Sequence, residues 1–253
     1  MSADSGFDHL HVHTEYSMLD GAARVDELVK EIANQGMPAI AITDHGNVFG
    51  AYEFNKKAIA AGVKPIIGIE AYVAPESRFD KRRVKWADGG EDDVSGGGAY
   101  THMTLLAENN EGLSNLFKLS SLASLEGYYY KPRMDRDLLS KYGKGLIATT
   151  GCPGGEIQTR LRMGAYKEAK QAASELRDIF GAENFYLEIM DHGIDIETRV
   201  KADLLKLGKE LGLPLLATND LHYTHHEDAA SHEALLCVQS GSTLPIQRDL
   251  NLK

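Results

Sequence analysis

Apolar and polar positions follow two different periods along this chain. Short apolar runs with the composition of buried strands are separated by longer stretches in which apolar residues recur every three to four positions. Seven runs predict strands: Phe7 to His13, Ala39 to Thr43, Pro65 to Val73, Thr101 to Ala107, Gly145 to Thr149, Asn184 to Ile189 and Leu215 to Thr218. This alternation is typical of an α/β protein.

Helical stripes lie between most of these strands. The two clearest stripes are Val25, Leu28, Val29, Ile32 and Val200, Leu204, Leu207, Leu211. Further helices are predicted over 113–125 and 166–180. Repeated strand–helix–strand units require parallel strands with right-handed crossovers, which form either a closed barrel or an open, doubly wound sheet. At 253 residues, one large α/β domain accommodates the whole chain.

Two segments depart from this pattern. Residues 75–98 combine mixed charges and glycines without an apolar period, which predicts a mobile surface loop. The loop is either a lid over a site or a variable insertion. The last residues, 244–253, complete no recognisable element, and we interpret this as truncation of a longer protein.

Composition and charge narrow the class of protein. The chain is 43% hydrophobic and 25% charged, as is ordinary for a soluble protein. Its net charge of −10 argues against a broad basic surface for duplex DNA, so any nucleic acid must be held locally, for instance by bound cations. Two distant cysteines, the lack of a signal-type start and the lack of a long apolar run predict a cytoplasmic protein outside the membrane.

Two segments place pairs of metal-ligand residues at alternate positions of a strand. His11 and His13 share one side of the first strand, and Asp220 and His222 share one side near the end of the chain. Other ligand-type residues lie within, at the end of or just beyond further apolar runs: Asp20, His45, Glu70, His102 and Cys152. Because buried charges are costly unless they are paired or metal-bound, the set predicts a multinuclear metal centre.

The ligand pattern also decides between the two sheet types. An open sheet binds at one switch point, whereas a closed barrel brings many strand ends to one mouth. We therefore predict a distorted seven-stranded (β/α) barrel with the metal site at the C-terminal ends of its strands.

The remaining histidines and Cys237 are weaker candidates. A single histidine is most often structural, and we assign this role to His9, which alternates away from His11. His192 follows a strand, so both an approach to the site and a structural role stay open. We expect a polar trio to be solvated or capping, namely His225, His226 and His232, and Cys237 to be ordinary core.

Aromatic and basic residues are interleaved in the segment 128–133. Its sequence is Tyr-Tyr-Tyr-Lys-Pro-Arg, and Lys131 and Arg133 are the two cations. This pairing is used to stack bases and hold phosphates of single strands, so both residues are candidate substrate contacts. Packing of the segment between a helix and a strand is the alternative.

Six stretches of the chain carry a joint pattern: His-Val-His-Thr-Glu-Tyr-Ser, Ile-Thr-Asp-His-Gly, Gly-Ile-Glu-Ala-Tyr, Tyr-Tyr-Lys-Pro-Arg, Thr-Thr-Gly-Cys-Pro-Gly-Gly and Thr-Asn-Asp-Leu-His-Tyr. Together they resemble the polymerase and histidinol phosphatase (PHP) domain family, in the form attached to bacterial replicative polymerases. The resemblance covers essentially the whole chain, and it implies that 1–253 is a single PHP domain.

The resemblance implies a centre of nine ligands and three divalent metal ions. One ion is expected on His11, His13, Glu70 and Asp220. Glu70 bridges to a second ion on His102 and Cys152, and the third is expected on Asp20, His45 and His222. Imidazole and thiolate ligands favour zinc, while the carboxylates also admit manganese.

The function implied by the resemblance is a metal-dependent 3′→5′ exonuclease that proofreads DNA. The primer 3′ end, single-stranded, is then the substrate, with Asp220, Glu70 and His102 as catalytic residues. The remainder of a polymerase chain would be the direct partner, and the sliding clamp and other replisome subunits would follow through the full-length protein. Two alternatives stay open: a histidinol-phosphatase-type phosphomonoesterase, and a non-catalytic module that stabilises the polymerase.

Overall fold

The computed structural model describes residues 6–84 and 95–244, which form two compact units. The first unit combines the chain up to Ile69 with the chain from Thr218 onward, and the second extends from Glu70 to Ala217. The eight helices of this described part are α1 Val25–Asn34, α2 Ala51–Ala60, α3 Asn110–Glu126, α4 Arg136–Tyr142, α5 Glu156–Arg162, α6 Tyr166–Phe180, α7 Asp195–Leu211 and α8 Ala229–Ser240. Its seven strands are β1 Ala39–Ile42, β2 Lys64–Val73, β3 Thr101–Ala107, β4 Arg133–Met134, β5 Leu146–Thr149, β6 Phe185–Ile189 and β7 Leu215–Ala217.

The core of the first unit forms around α1 and β1. The predicted stripe of α1 is buried, and it packs with Ile40, Phe54 and their apolar neighbours. Strand β1 pairs in parallel with the first part of β2, from Ala39 opposite Lys64 to Ile42 opposite Ile67. The predicted strand over 7–13 is wrong as a regular strand, because this segment makes only isolated bridges, such as Val12 with Leu221.

The second unit carries a mixed sheet. Strands β5, β6 and β7 are parallel neighbours, and the short β4 pairs in parallel with the end of β2. Strand β3, however, runs antiparallel to β5, with Leu105 opposite Ala148. The α/β class is confirmed, but the prediction of a closed, all-parallel barrel is not.

The physical reason for the antiparallel strand is its connection. A parallel strand normally follows a helical crossover, but the sequence between β2 and β3 has no helical period, so nothing requires β3 to run in the same direction. Part of the predicted loop at 75–98 and the predicted tail at 244–253 lie outside the described residues, so both remain predictions. No helix in the ranges 6–84 and 95–244 is long and apolar enough to cross a membrane.

Candidate metal centre

One ligand group of the first unit surrounds a carboxylate oxygen of Asp220. Its Oδ1 lies 3.2 Å from His13 Nε2, 3.4 Å from His11 Nε2 and 3.6 Å from His222 Nδ1. This oxygen is buried, and none of the described side chains reaches it with hydrogen-bond geometry. Ligands of a tetrahedral zinc ion with bonds of about 2.1 Å are separated by about 3.4 Å, so these atoms are spaced as a metal site requires.

The backbone and the charge of Asp220 both suit a ligand. Its φ of 45° lies in the left-handed region, which non-glycine residues adopt at a cost of about 1–3 kcal/mol and mostly at functional sites. Burial alone would raise its pKa, but the imidazoles of His11, His222 and His13 hold the pKa of Asp220 below its usual range. The side chain is therefore an anion at neutral pH.

A second ligand group of the first unit is centred on Asp20. Its Oδ2 lies 2.7 Å from His45 Nε2 and 3.2 Å from His222 Nε2. Burial opposes ionisation of Asp20, but these hydrogen bonds and charges hold its pKa below the usual range. Burial by itself would lower the pKa of His222, but the charge of Asp220 and the hydrogen bond to Asp20 raise this pKa above its usual value.

Hydrogen bonds outside the ligand atoms fix the state of His13. The Ser17 hydroxyl has a single proton, which it donates to Asp44 Oδ1 at 2.7 Å. His13 Nδ1, 2.9 Å from Ser17 Oγ, must therefore be the donor in that contact, so Nε2 is the nitrogen left for a metal ion. The ring is held as the tautomer that binds a metal through Nε2.

The third ligand group lies in the second unit and combines Glu70, His102 and Cys152. Glu70 Oε1 is 3.0 Å from His102 Nδ1 and 3.2 Å from Cys152 Sγ, and the sulfur is 3.5 Å from His102 Nδ1. His102 lies at the start of β3, and Cys152 follows the end of β5. The antiparallel pairing of β3 and β5 therefore brings them together, so the prediction that ligands occupy only C-terminal strand ends is wrong for His102.

The turn that carries Cys152 is held by the backbone. Gly154 N–H donates to Cys152 Sγ at 3.3 Å, and Gly155 N–H donates to the Cys152 carbonyl at 2.8 Å. Gln158 donates to the Gly151 carbonyl at 2.7 Å and to Thr150 Oγ1 at 3.0 Å. These contacts position the sulfur before any metal binds.

The two predicted substrate contacts have different environments. Arg133 is fully buried, and its guanidinium donates to four backbone carbonyls, those of Arg78, Asp80, Ala99 and Gly127. The prediction that Arg133 contacts substrate directly is therefore wrong, because its guanidinium N–H groups are hydrogen-bonded inside the fold. Lys131 is half-buried, with Nζ 5.4 Å from the centre of the Tyr72 ring, and its role remains a prediction.

Two of the other histidines have acidic partners outside the predicted ligand set. His192 is tied to Glu197, with Nδ1 2.6 Å from Oε1, and His225 takes part in a capping box with Asp228. His226 is exposed, whereas the half-buried His232 packs 5.5 Å from the His222 ring, so the prediction of a solvated or capping His232 is wrong. Cys237 is only partly buried on α8 rather than core.

Sequence reasoning missed the residues that hold the ligands in place. Asp44 stood beside the predicted ligand His45, and its buried carboxylate accepts bonds from Thr14 and Ser17. Gln158 carried no signal at all. Asp44 is the residue that could have been found, since an acidic residue directly before a ligand histidine is a common partner of the ligand-bearing loops.

The three groups offer imidazole, carboxylate and sulfur donors. Such donors suit zinc, and the carboxylates extend the range to manganese. His13, His45 and His222 alone place three ring nitrogens within 4.8 Å of one another. Open coordination positions at sites of this kind are what hydrolytic chemistry uses.

Comparison with known families agrees with the α/β fold. The PHP domain model matches residues 9–192, and the chain therefore belongs to the PHP domain family. Among solved structures, an amidohydrolase from Chromobacterium violaceum with bound sulfate has a TM-score of 0.51 and 14% identity, covering 90% of this chain and 96% of that one. At this identity the likeness concerns the fold alone.

Within the family, the chain is similar to the α subunits of bacterial DNA polymerase III. It is 62% identical over 247 residues to DNA polymerase III subunit alpha of Saccharopolyspora erythraea, an alignment covering 94% of this chain. The identity to the Mycobacterium tuberculosis subunit is 58% over 246 residues, covering 96% of this chain. In both cases the chain spans 21% of the relative's length.

Proposed function

We propose that this chain is a metal-dependent 3′→5′ exonuclease that proofreads DNA. The observation that carries the proposal is the convergence of imidazole nitrogens on Asp220 Oδ1 at 3.2–3.6 Å. Three ring nitrogens around one buried carboxylate oxygen have the spacing of ligands around a metal ion. The similarity to polymerase III α subunits supports the primer 3′ end as the proposed substrate, since a hydrolytic site attached to a polymerase would meet that end.

The nine ligand residues are proposed to hold three divalent ions, with zinc preferred and manganese able to replace it. Bound ions would lower the pKa of water and offset negative charge on the phosphate. Asp220 and Glu70 are proposed to orient the ligands around them, and His102 Nδ1 lies 3.0 Å from Glu70 Oε1. Protein side chains mainly position the centre, so removal of one carboxylate should abolish turnover with little loss of fold.

The wider setting is part of the same proposal. The remainder of a polymerase chain would present the frayed primer end to this domain, and the sliding clamp and other replisome subunits would be reached through that larger protein. The proposed activity would then take place at the replication fork in the cytoplasm. Lys131 would contact the incoming strand.

The test follows a 5′-labelled single-stranded oligonucleotide over time with added zinc or manganese. We expect a ladder that shortens from the 3′ end with the native chain. Asp220→Asn keeps the size of the side chain but removes its charge, and we expect a loss of at least 100-fold in rate. Asp178→Asn changes a carboxylate that is 69% exposed on α6, and it should retain full activity.

Three results would contradict the proposal. Equal ladders from the native chain and Asp220→Asn would mean that another nuclease is responsible. Faster hydrolysis of a nitrophenyl phosphate monoester than of the oligonucleotide would identify a phosphomonoesterase. Full metal content without turnover of either substrate would identify a structural module.

A further inference from the structure

An exposed aromatic surface in the second unit is not explained by the metal ligands. Phe79, Tyr128 and Tyr130 expose 61%, 60% and 57% of their surface, although aromatic side chains are normally buried well beyond that. They belong to two segments, 78–83 and 128–131. Clusters of exposed apolar side chains often mark an interaction site.

Arg133 joins the two segments from the interior of the fold. Its buried guanidinium donates to the carbonyls of Arg78 and Asp80 in one segment and to that of Gly127, next to the other. Arg83 lies over the Tyr130 ring at 5.1 Å, which adds a direct contact between them. The buried Arg133 guanidinium therefore supports the backbone that carries the exposed aromatic rings.

Tyr130 is held in a strained backbone conformation. Its φ is 62°, in the left-handed region that a bulky residue avoids. Strain of this kind persists where the surrounding structure enforces it and is concentrated at functional sites. Here it accompanies a ring that packs edge-on against Tyr129 yet remains exposed to solvent.

The charge of the two segments is opposite to that of the chain. Within 78–83 and 128–131 there are five basic residues and one acidic residue, whereas the whole chain has a net charge of −10. Aromatic faces combined with local cations fit a polyanion whose bases are unpaired and free to stack. Duplex DNA does not meet this requirement, because its bases are already stacked on one another.

The surface continues towards the ligand group of the second unit. Lys131 Nζ lies 5.4 Å from the Tyr72 ring, and the Tyr72 ring packs edge-on against the imidazole of His102 at 5.2 Å. A strand lying on Tyr130 and Lys131 would thus be directed to His102. From these contacts we infer that Phe79, Arg83, Tyr128, Tyr130 and Lys131 form a stacking surface for single-stranded DNA, an inference that rests on the proposed function.

The binding test uses fluorescein-labelled (dT)12 with phosphorothioate linkages at its 3′ end, so that the probe is not shortened. We expect Tyr130→Ala to weaken binding about tenfold, as loss of one stacked base does, and Tyr130→Phe to restore it. The matched control is Tyr52→Ala, because Tyr52 is 75% exposed with Lys56 5.5 Å from its ring, in the first unit. This control should bind as the native chain does.

Salt dependence tests the cation independently of stacking. Lys131→Ala should reduce the slope of log K against log salt by about 0.7, as expected for one lost phosphate contact on a single strand. Lys56→Ala should leave the slope unchanged. Circular dichroism and melting curves of each variant confirm that the fold is retained.

Failure of this inference can be told apart from failure of the exonuclease proposal. No binding of (dT)12 by the native chain, or equal losses in Tyr130→Ala and Tyr52→Ala, would overturn the stacking surface even if oligonucleotides are shortened. Tyr130-dependent binding without shortening would support the surface and contradict the exonuclease. If both hold, Tyr130→Ala should raise KM for (dT)12 without phosphorothioates, whereas Tyr52→Ala should not.

Discussion

At the scale of single residues, Ser17 is not a predicted metal ligand, but its hydroxyl determines which ring nitrogen of His13 is left for a metal ion. His13 is fully buried and packs against both His45 and His222, with ring centres 4.1 and 4.3 Å away. Stacking alone leaves its two ring nitrogens interchangeable. The Ser17 hydroxyl breaks that symmetry, because its own proton is already committed to Asp44.

We predict that Ser17→Ala weakens zinc binding by about 10- to 100-fold, the usual effect of losing a partner that orients a ligand. The variant leaves the His13 Nδ1 proton without an acceptor and frees the ring to adopt the other tautomer. Zinc affinity measured by competition with a chromophoric chelator checks this. Ser121→Ala on α3 removes an exposed hydroxyl that donates to a helix carbonyl, and it should leave the affinity unchanged. Equal affinities in both variants would contradict the tautomer argument.

At the scale of elements, the sequence predicts those strands and helices that depend on local composition. Six of the predicted strands are present, because buried strands need continuous apolar runs whatever their partners. The direction of β3 and the burial of Arg133 could not be read in the same way. The direction of β3 depends on its pairing with β5. The burial of Arg133 depends on backbone carbonyls that lie 6 to 55 positions away in the sequence.

The turn from β5 to α5 carries a prediction at this scale. A Cβ at Gly155 would lie 2.1 Å from the Thr150 carbonyl oxygen, so Gly155→Ala must push apart the two ends of the turn that positions Cys152. We expect cobalt(II) bound to the variant to lose the thiolate-to-metal absorption band. The far-ultraviolet circular dichroism should stay close to that of the native chain.

A matched control exists at the other end of α5. Gly164 has a φ of 71°, a Cβ added there would meet nothing within 4 Å, and asparagine tolerates such a backbone. Gly164→Asn should therefore retain the cobalt–thiolate band. A band of native intensity in Gly155→Ala would mean that the turn is softer than this close approach implies.

At the scale of the whole molecule, two segments far apart in the sequence, 11–13 and 220–222, meet in the first unit. His13 N–H donates to the Leu221 carbonyl at 2.7 Å, and Leu221 N–H donates to the His11 carbonyl at 3.0 Å. This pairing places His11 and His13 beside Asp220 and His222 across about 200 residues of sequence. The period-2 spacing of each pair could be recognised from the sequence, but the backbone bonds that join the pairs could not.

A ligand set assembled from both ends of the chain should link metal binding to global stability. Ions bind the folded chain and not separated ends, so they stabilise it by mass action, by about 2.7 kcal/mol at a hundredfold excess over Kd. For a chain of this size we predict that a chelator at pH 7.5 lowers Tm by about 5–10 °C and that zinc restores it. The shift should shrink at pH 5.5, because protons then compete for the imidazole ligands. It should also shrink in Asp220→Asn but persist in Asp178→Asn. Calorimetry with and without chelator measures this, and identical melting curves would show that the ends of the chain are held together without metal.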